Sequence, residues 1–249
     1  MNQTNYLRSL WIIILSILGT GYICAAAIYQ RAFKTITRSW VDNKLKIWKN
    51  FLLKLVKIKL IINNPCNIQP IPDRATIVMC NHTSLYDIPL SLSVFPQSSM
   101  RMLAKKELHK IPIMGKGMDA AEFIFIDRKN RKQALRDLDV MTKLLKSGIV
   151  MWVAPEGTRS KNGNLGNFKK GAFITALETN AVIIPIVIIG ANKILASKSC
   201  NININQEITI NVGNIIDTYN FSTENSNTLM TTVYTEMQSL LNLQPAENL

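Results

Sequence analysis

Hydrophobic and polar positions divide the chain into an apolar N-terminal part and a longer part in which short apolar runs alternate with amphipathic ones. Residues 9–30 carry no charge and are bounded by Arg8 and Arg31. About 20 apolar residues cross the hydrocarbon core of a bilayer, so this run predicts a membrane helix. A cleaved signal peptide is the alternative, because the small residues 24–27 resemble a cleavage site. The basic, apolar segment that follows favours a helix that is retained in the mature protein.

The next segment, residues 33–60, has apolar residues at steps of three or four, which predicts a helix. These residues are Phe33, Ile36, Trp40, Ile47, Phe51, Leu55 and Ile58. Trp and Lys around an apolar stripe are typical of a helix that lies in a lipid interface. Packing against the following domain, with a solvated basic face, is a compatible alternative. We therefore expect membrane-anchoring helices in residues 1–62 and a catalytic domain in residues 63–249.

From residue 74 onwards, continuous β-branched runs alternate with helical patterns. We expect strands over 75–80, 100–103, 123–127, 149–154, 182–189 and 207–212, and helices over 85–94, 132–146, 168–179 and 228–243. Continuous apolar strands that alternate with helices indicate a sheet covered on both faces. The expected fold class is α/β, with a mixed, largely parallel sheet flanked by helices, preceded by an N-terminal two-helix membrane-anchoring segment.

Composition and charge limit the classes of molecule that this chain can bind. The chain is 47% hydrophobic and 18% charged, which excludes a disordered chain. Its net charge of +13 indicates an anionic partner. Residues 1–60 hold ten Lys or Arg residues and a single acidic one, Asp42, so the charge lies beside the apolar run and favours a membrane over nucleic acid. The basic flank predicts that the domain stays on the cytoplasmic face. With two histidines and widely spaced cysteines, no metal site is expected.

The first candidate site is the segment from Asn81 to Asp87, which follows a predicted strand and precedes a predicted helix. If His82 lies in the turn and Asp87 in the first helical turn, the carboxylate can hold one imidazole nitrogen while the other accepts a proton. An unperturbed histidine titrates near ~6.5, so it can act as a base at neutral pH. The alternative is structural, because Ser84 and Asp87 also have the spacing of a helix capping box.

The second candidate site is the segment from Pro155 to Ser160, which also follows a predicted strand. Arg159 can bind phosphate oxygens through its planar guanidinium group, and Gly157 allows a ligand to approach the backbone. A polar turn with a solvated arginine is the alternative.

Three more cations follow predicted strands: Lys105 and Lys106 after one, and Arg128 after another. Each alone is an ordinary surface charge. The carboxyl ends of parallel strands meet at one edge of a sheet, so these cations can converge on His82 and Arg159. One base surrounded by cations suits a hydroxyl nucleophile that carries a phosphate.

These segments, in this order, resemble those of the glycerolipid acyltransferases, and most closely the bacterial 1-acyl-glycerol-3-phosphate acyltransferases. The N-H-x-x-x-x-D block is similar to Asn81–Asp87, and the aromatic-x-x-Arg block to Phe125 and Arg128. The P-E-G-T-R-S block is present without a gap at residues 155–160, and the apolar-Pro-apolar block lies around Pro185. One departure is Ala154, where the family usually has Phe.

The resemblance implies an activity and a role for each matching residue. His82 is the general base and Asp87 orients it, while the acceptor hydroxyl attacks an acyl thioester directly. Substrate binding falls to Lys105, Lys106, Arg128, Glu156, Gly157, Thr158 and Arg159. In addition, backbone N–H groups near Gly157 are candidates for stabilising the oxyanion.

The implied reaction transfers a fatty acyl group from acyl-CoA or acyl-carrier protein, as co-substrate, to 1-acyl-glycerol-3-phosphate, giving phosphatidic acid. No other cofactor is expected. The implied partners are a membrane lipid acceptor and the phospholipid bilayer, at a bacterial-type inner membrane. Glycerol-3-phosphate, another lysolipid, and a non-catalytic membrane-surface protein remain as alternatives.

Overall fold

The computed structural model describes residues 6–127, 130–160, 163–222 and 225–243, and only the backbone of Arg131. The helices are Tyr6–Ala32 (α1), Arg38–Val56 (α2), Asp87–Ser91 (α3), Lys106–His109 (α4), Met114–Ala120 (α5), Arg131–Lys146 (α6), Gly171–Glu178 (α7), Ala191–Ile194 (α8) and Ser226–Asn242 (α9), with a 3₁₀ turn at Thr218–Asn220. The strands are Lys59–Asn63 (β1), Thr76–Cys80 (β2), Met100–Lys105 (β3), Ile124–Ile126 (β4), Val150–Val153 (β5), Val182–Ile189 (β6), Glu207–Val212 (β7) and Ile216–Asp217 (β8).

The strands form one sheet in the order β1-β7-β6-β2-β5-β3-β4, with β8 beside the start of β6. The five strands from β6 to β4 along this order are parallel to one another. Strand β7 is antiparallel to β6, and β1 is parallel to β7. The expected mixed, largely parallel sheet is therefore confirmed. The carboxyl ends of its five parallel strands lie at one edge, where α/β proteins place their sites.

Both faces of the sheet are buried, because side chains alternate along each strand between two cores. On β2, Val78 and Cys80 belong to the core shared with Ile12 of α1 and Val56 of α2. Ile77 and Met79 belong to the core on the other side, which α6, α7 and α9 cover. This arrangement explains why β2, β5 and β6 are apolar at almost every position.

Helix α1 is the one helix within the described residues that is long and apolar enough to cross a bilayer. It lies along the domain, with Ser9 hydrogen-bonded to Ile202 near one end and Arg31 paired with Asp119 at the other. Between them, Gly117 of α5 approaches so closely that an added Cβ would lie 2.4 Å from the Cβ of Cys24. The outer side of α1 is apolar and exposed, with Tyr6, Leu7, Trp11, Ile17, Leu18 and Tyr22.

Helix α2 is joined to the sheet through a buried arginine. Arg101 on β3 is fully buried, and its Nη1 lies 2.6 Å from Oδ1 of Asp42 on α2. Arg38, at the start of α2, pairs with Glu122 at 3.0 Å. Helix α2 is therefore fixed to the sheet by charge as well as by apolar packing.

The structure corrects the expected extent of the N-terminal segment. The helix expected over residues 33–60 begins only at Arg38 and ends at Val56, because Lys57 adopts a left-handed conformation with φ +48°. Strand β1 follows at Lys59–Asn63 and pairs with β7. The boundary expected between residues 62 and 63 thus runs through a strand of the sheet.

Candidate active site

The loop between β2 and α3 brings His82 and Asp87 into contact. His82 Nδ1 lies 2.8 Å from Asp87 Oδ2, the contact expected if His82 lies in the turn and Asp87 in the first helical turn. The same carboxylate oxygen accepts hydrogen bonds from the backbone N–H groups of Thr83 and Ser84, at 2.6 and 2.8 Å. Asp87 therefore closes the loop and holds the imidazole at once, so the capping and orienting interpretations of this residue are compatible.

The imidazole of His82 is 18% exposed, while Asp87 is fully buried. Because Nδ1 faces a carboxylate, the tautomer assigned to the neutral ring carries its proton on Nδ1. Nε2 then has a lone pair that can accept a proton from a hydroxyl group. The ring of Trp152, on β5, lies edge-on at 5.8 Å between centroids and limits the positions that the imidazole can take.

Asn81 fixes the start of this loop, a role that the sequence analysis did not assign. Its Nδ2 donates to the carbonyl of Ile188 at 3.0 Å, and its Oδ1 accepts from the N–H of the same residue at 2.8 Å. The amide thus makes both hydrogen bonds of a strand partner and ties the loop to β6. The position of Asn81 directly before His82 was the available signal.

The loop after β5 lies against the His82 loop. The N–H of Ser160 donates to the carbonyl of His82 at 2.7 Å, so Arg159 is one residue from a direct bond to the loop of the candidate base. Arg159 is half-buried, and Thr158 is exposed. The structure therefore brings together the two segments that the sequence singled out.

Glu156 links three loops. Its Oε1 accepts from the N–H of His82 at 3.1 Å, and its Oε2 accepts from the N–H of Gly166 at 2.8 Å. Burial raises the pKa of this carboxyl, and the two N–H groups oppose the shift. Both oxygens are thus engaged by the backbone, an arrangement that favours positioning over the substrate contact implied by the resemblance.

Gly157 adopts φ +71°, a conformation that glycine accepts without strain. Its N–H donates to the carbonyl of Ala154 at 3.0 Å and is not free for an oxyanion. The N–H groups of Thr158 and Arg159 have no acceptor among the described residues. The N–H groups of Thr158 and Arg159 are therefore better candidates for an oxyanion donor than that of Gly157.

The predicted cations differ in their surroundings. Lys106 pairs with Asp127 at 3.0 Å, so a carboxylate already compensates its charge. Lys105, at the end of β3, and Arg159 have no ion-pair partner in the described part of the chain. Arg128 lies outside the described residues. Lys105 and Arg159 are thus the cations best able to bind an added anion.

The acyltransferase family model matches residues 60–189 of this chain, which is the part that carries both loops. The chain belongs to the acyltransferase family. The resemblance noted from the four sequence blocks is therefore confirmed, and the His82–Asp87 pair lies within the matched region.

Relatives with this domain include 1-acyl-sn-glycerol-3-phosphate acyltransferases. The chloroplastic LPAT1 of Arabidopsis thaliana is 30% identical over 190 residues, which is 76% of this chain and 50% of that protein. A probable enzyme of that name from Mycoplasma pneumoniae is 31% identical over 153 residues, 60% of this chain and 56% of that protein. The chain spans about half the length of these curated relatives.

The fold is also that of a solved family member. The structure superposes on PlsC, the 1-acyl-sn-glycerophosphate acyltransferase from Thermotoga maritima, with a TM-score of 0.75 and 24% sequence identity. The match covers 97% of this chain and 98% of that one, so it includes the N-terminal helices.

Proposed function

We propose that this chain transfers an acyl group from an acyl thioester to the free hydroxyl of 1-acyl-glycerol-3-phosphate, giving phosphatidic acid. The observation that carries the proposal is the 2.8 Å contact between His82 and Asp87, in a loop bonded directly to the segment that bears Arg159. A base beside a cation suits an acceptor in which a hydroxyl and a phosphate share one small molecule.

In this mechanism Nε2 of His82 removes the proton of the acceptor hydroxyl as its oxygen attacks the thioester carbonyl. The carbonyl electrons move to oxygen, and the resulting tetrahedral intermediate then collapses. The C–S bond breaks, and the departing thiolate recovers the proton from His82. General base catalysis of this kind contributes about 10²–10⁴-fold. Asp87 keeps Nε2 directed at the hydroxyl and stabilises the imidazolium while it exists.

The phosphate of the acceptor is bound by Arg159 and Lys105, and Lys106 and Arg128 are the other cations that the resemblance implies for this role. Charge-assisted hydrogen bonds from guanidinium to phosphate are short and directional, so they also set the distance from the hydroxyl to His82. The N–H groups of Thr158 and Arg159 are the proposed donors to the oxyanion, in place of that of Gly157.

The bilayer is the proposed partner of the N-terminal helices. Helix α1 is held to the domain at both ends, near Ser9 and at Arg31, and its outer side is apolar. A helix packed along a domain in this way suits insertion into one leaflet, with the site open to lysolipids at the surface. We place the domain on the cytoplasmic face of a bacterial-type inner membrane, where the basic flank of α1 belongs.

The acceptor and the donor are tested together. The purified full chain is incubated with lysophosphatidate, glycerol-3-phosphate or monoacylglycerol, each with acyl-CoA or acyl-carrier protein as the only co-substrate. We expect product only from lysophosphatidate among the three acceptors, and that product should be phosphatidic acid. The thioester that supports this reaction identifies the donor. Turnover of glycerol-3-phosphate alone would move the activity to that acceptor, and no product in any arm would favour a non-catalytic protein.

A further inference from the structure

Trp152 on β5 contacts both the candidate base and the helix that follows its loop. Its ring lies against the imidazole of His82, with 5.8 Å between centroids and 84° between the ring planes. Its Nε1–H group donates to Oγ of Ser91, on α3, at 2.8 Å. Trp152 is 3% exposed and Ser91 is fully buried, so water does not compete for this hydrogen bond. One side chain of the sheet thus contacts both His82 and α3.

Ser91 links this contact to Asp87 and to the end of β2. Helix α3 begins at Asp87 and ends at Ser91, so the two residues lie four positions apart, on the same side of one helical turn. The hydroxyl of Ser91 accepts from Trp152 and donates to Sγ of Cys80 at 3.9 Å. Cys80 is the last residue of β2, two positions before His82. The Ser91 hydroxyl therefore joins β5, α3 and β2 around the loop that carries the pair.

The carboxylate of Asp87 depends on α3 for its position. The hydrogen bonds described for it all come from residues 82–84 and reach Oδ2, and Oδ1 has no partner among the described residues. These bonds hold the carboxylate to its own loop and not to the sheet. The bond from Trp152 to Ser91 does join α3 to a central strand. A displacement of about 1 Å in a catalytic group can lower the rate on the order of 10²-fold.

We propose that Trp152 and Ser91 are positioning residues, and that their hydrogen bond holds α3 so that Asp87 keeps the imidazole of His82 aligned for proton transfer. The inference rests on the proposed function for the reaction it affects. The ring of Trp152 restricts the imidazole, while its N–H group holds the helix that bears the carboxylate. Without the bond, a smaller fraction of molecules has the aligned arrangement, so kcat falls while the affinity for the acceptor stays the same.

The kinetic test compares Ser91→Ala, Trp152→Phe and the double variant of the full chain, assayed with lysophosphatidate in phosphatidylcholine–phosphatidylglycerol vesicles. We expect Ser91→Ala to lower kcat by about 3–10-fold, the kinetic equivalent of one lost hydrogen bond, with KM for lysophosphatidate unchanged. Phe keeps an aromatic ring near His82 but has no N–H group, so Trp152→Phe should be at least as slow. The double variant should be no slower than Trp152→Phe, because the same bond is already absent there.

Thr218→Val is the matched control for loss of a buried hydroxyl. Thr218 is 1% exposed, and its hydroxyl donates at 2.7 Å to the carbonyl of Ala181, a residue of the core on the other side of the sheet. This variant should have a lower Tm but the kcat of the wild type. An equal fall of kcat in Thr218→Val and Ser91→Ala would show that general destabilisation slows the reaction, and would overturn the positioning role.

NMR of the full chain with nitrogen-labelled histidine reports on the imidazole without substrate. The chain has two histidines, so His109 is an internal reference, and His109→Gln assigns the signals. In alkaline buffer, where imidazole rings are neutral, His82 of the wild type should carry its proton on Nδ1. Ser91→Ala and Trp152→Phe should raise the fraction of the form protonated on Nε2, and Thr218→Val should leave it unchanged.

Three results would each overturn the role of Trp152 and Ser91: wild-type kcat in Ser91→Ala, additive losses of kcat in the double variant, or a His82 tautomer equal to that of the wild type in both single variants. A wild-type chain inactive on lysophosphatidate would instead overturn the proposed acceptor. The NMR comparison would then still decide whether Trp152 and Ser91 align the pair.

Discussion

The carbonyl oxygen of His82 accepts a 2.7 Å hydrogen bond from the backbone N–H of Ser160. This bond joins the loop after β2 to the loop after β5, two neighbouring strands of the sheet. Arg159 is therefore fixed relative to His82 by backbone atoms, and replacement of either side chain by Ala leaves this bond in place. A substitution that keeps the other contacts between the loops should therefore change either proton transfer at His82 or acceptor binding at Arg159, but not both.

Replacement of His82 by Ala should lower kcat by about 10²–10⁴-fold, because His82 is the proposed acceptor of the hydroxyl proton. His109 is the matched control, since it is the second of only two histidines and packs edge-on against Phe125 at 4.8 Å between ring centroids. His109→Gln should retain most of the activity. Steady-state assays of both variants test this assignment, and near-normal turnover by His82→Ala would exclude His82 as the base.

Replacement of Arg159 by Ala should chiefly raise KM for the phosphorylated acceptor, the result expected when binding shared by the ground and transition states is lost. Arg136→Ala is the control, because that arginine lies on the exposed side of α6 and contacts Gln133. Acceptor titrations at saturating thioester measure the effect. An unchanged KM in Arg159→Ala would remove this residue from the phosphate site.

Replacement of Glu156 by Gln should lower both stability and kcat. The amide keeps one acceptor oxygen, so its NH₂ group faces the N–H of either His82 or Gly166, and one buried donor loses its partner at a cost of about 1–3 kcal/mol. Glu178→Gln, on an exposed part of α7, is the control and should change neither quantity. Denaturant unfolding and kcat are the measurements. A fully stable Glu156→Gln protein with raised KM alone would instead favour direct contact with the acceptor.

Replacement of Ile113 by Gly should stabilise the protein. Ile113 adopts φ +63° and ψ −55° in a tight turn closed by a 2.6 Å hydrogen bond from Met114 to Pro112, and its side chain is 51% exposed. Relief of strain of about 1–3 kcal/mol exceeds the entropic cost of glycine, about 0.4–1 kcal/mol. We expect a gain on the order of 1 kcal/mol, or a rise in Tm of about 2–4 °C.

The control for this prediction is Ile111→Gly, because Ile111 is also exposed and its φ is not positive. Without strain to relieve, glycine there should lower Tm. Thermal unfolding of both variants in one detergent measures the difference in Tm. Equal destabilisation would show that Ile113 is not strained.

The sequence predicted the central strands well and the short elements poorly. Strand β6 has its expected bounds, because its eight consecutive apolar residues lie between two turns, and these turns define both ends of the strand. Strand β1 was missed because its Lys and Ile residues continue the helical pattern of α2, and only the left-handed Lys57 separates them. Helix α5 was missed because Gly115 and Gly117 lower its helix propensity, whereas the close approach of Gly117 to Cys24 of α1 and of Gly115 to the backbone of His109 requires them.

In the site, the sequence predicted contacts within one segment but not contacts between segments. The spacing of His82 and Asp87 allowed their hydrogen bond if His82 lay in the turn and Asp87 in the first helical turn, and the structure has this arrangement. The bond from Gly166 to Glu156 joins residues whose proximity depends on how two loops pack, and no local pattern marks it. The roles assigned to His82, Asp87 and the cations stay predictions until the variants above are assayed.

The packing of α1 also affects the order in which contacts form during translation. Ser9 bonds to Ile202, 193 positions later, and a ribosome that adds about 5–20 residues per second needs roughly 10–40 s to reach it. During that interval the apolar helix has been synthesised but lacks the partner that holds its first turns. Early delivery of the nascent chain to lipid would protect this helix from aggregation until its partner emerges.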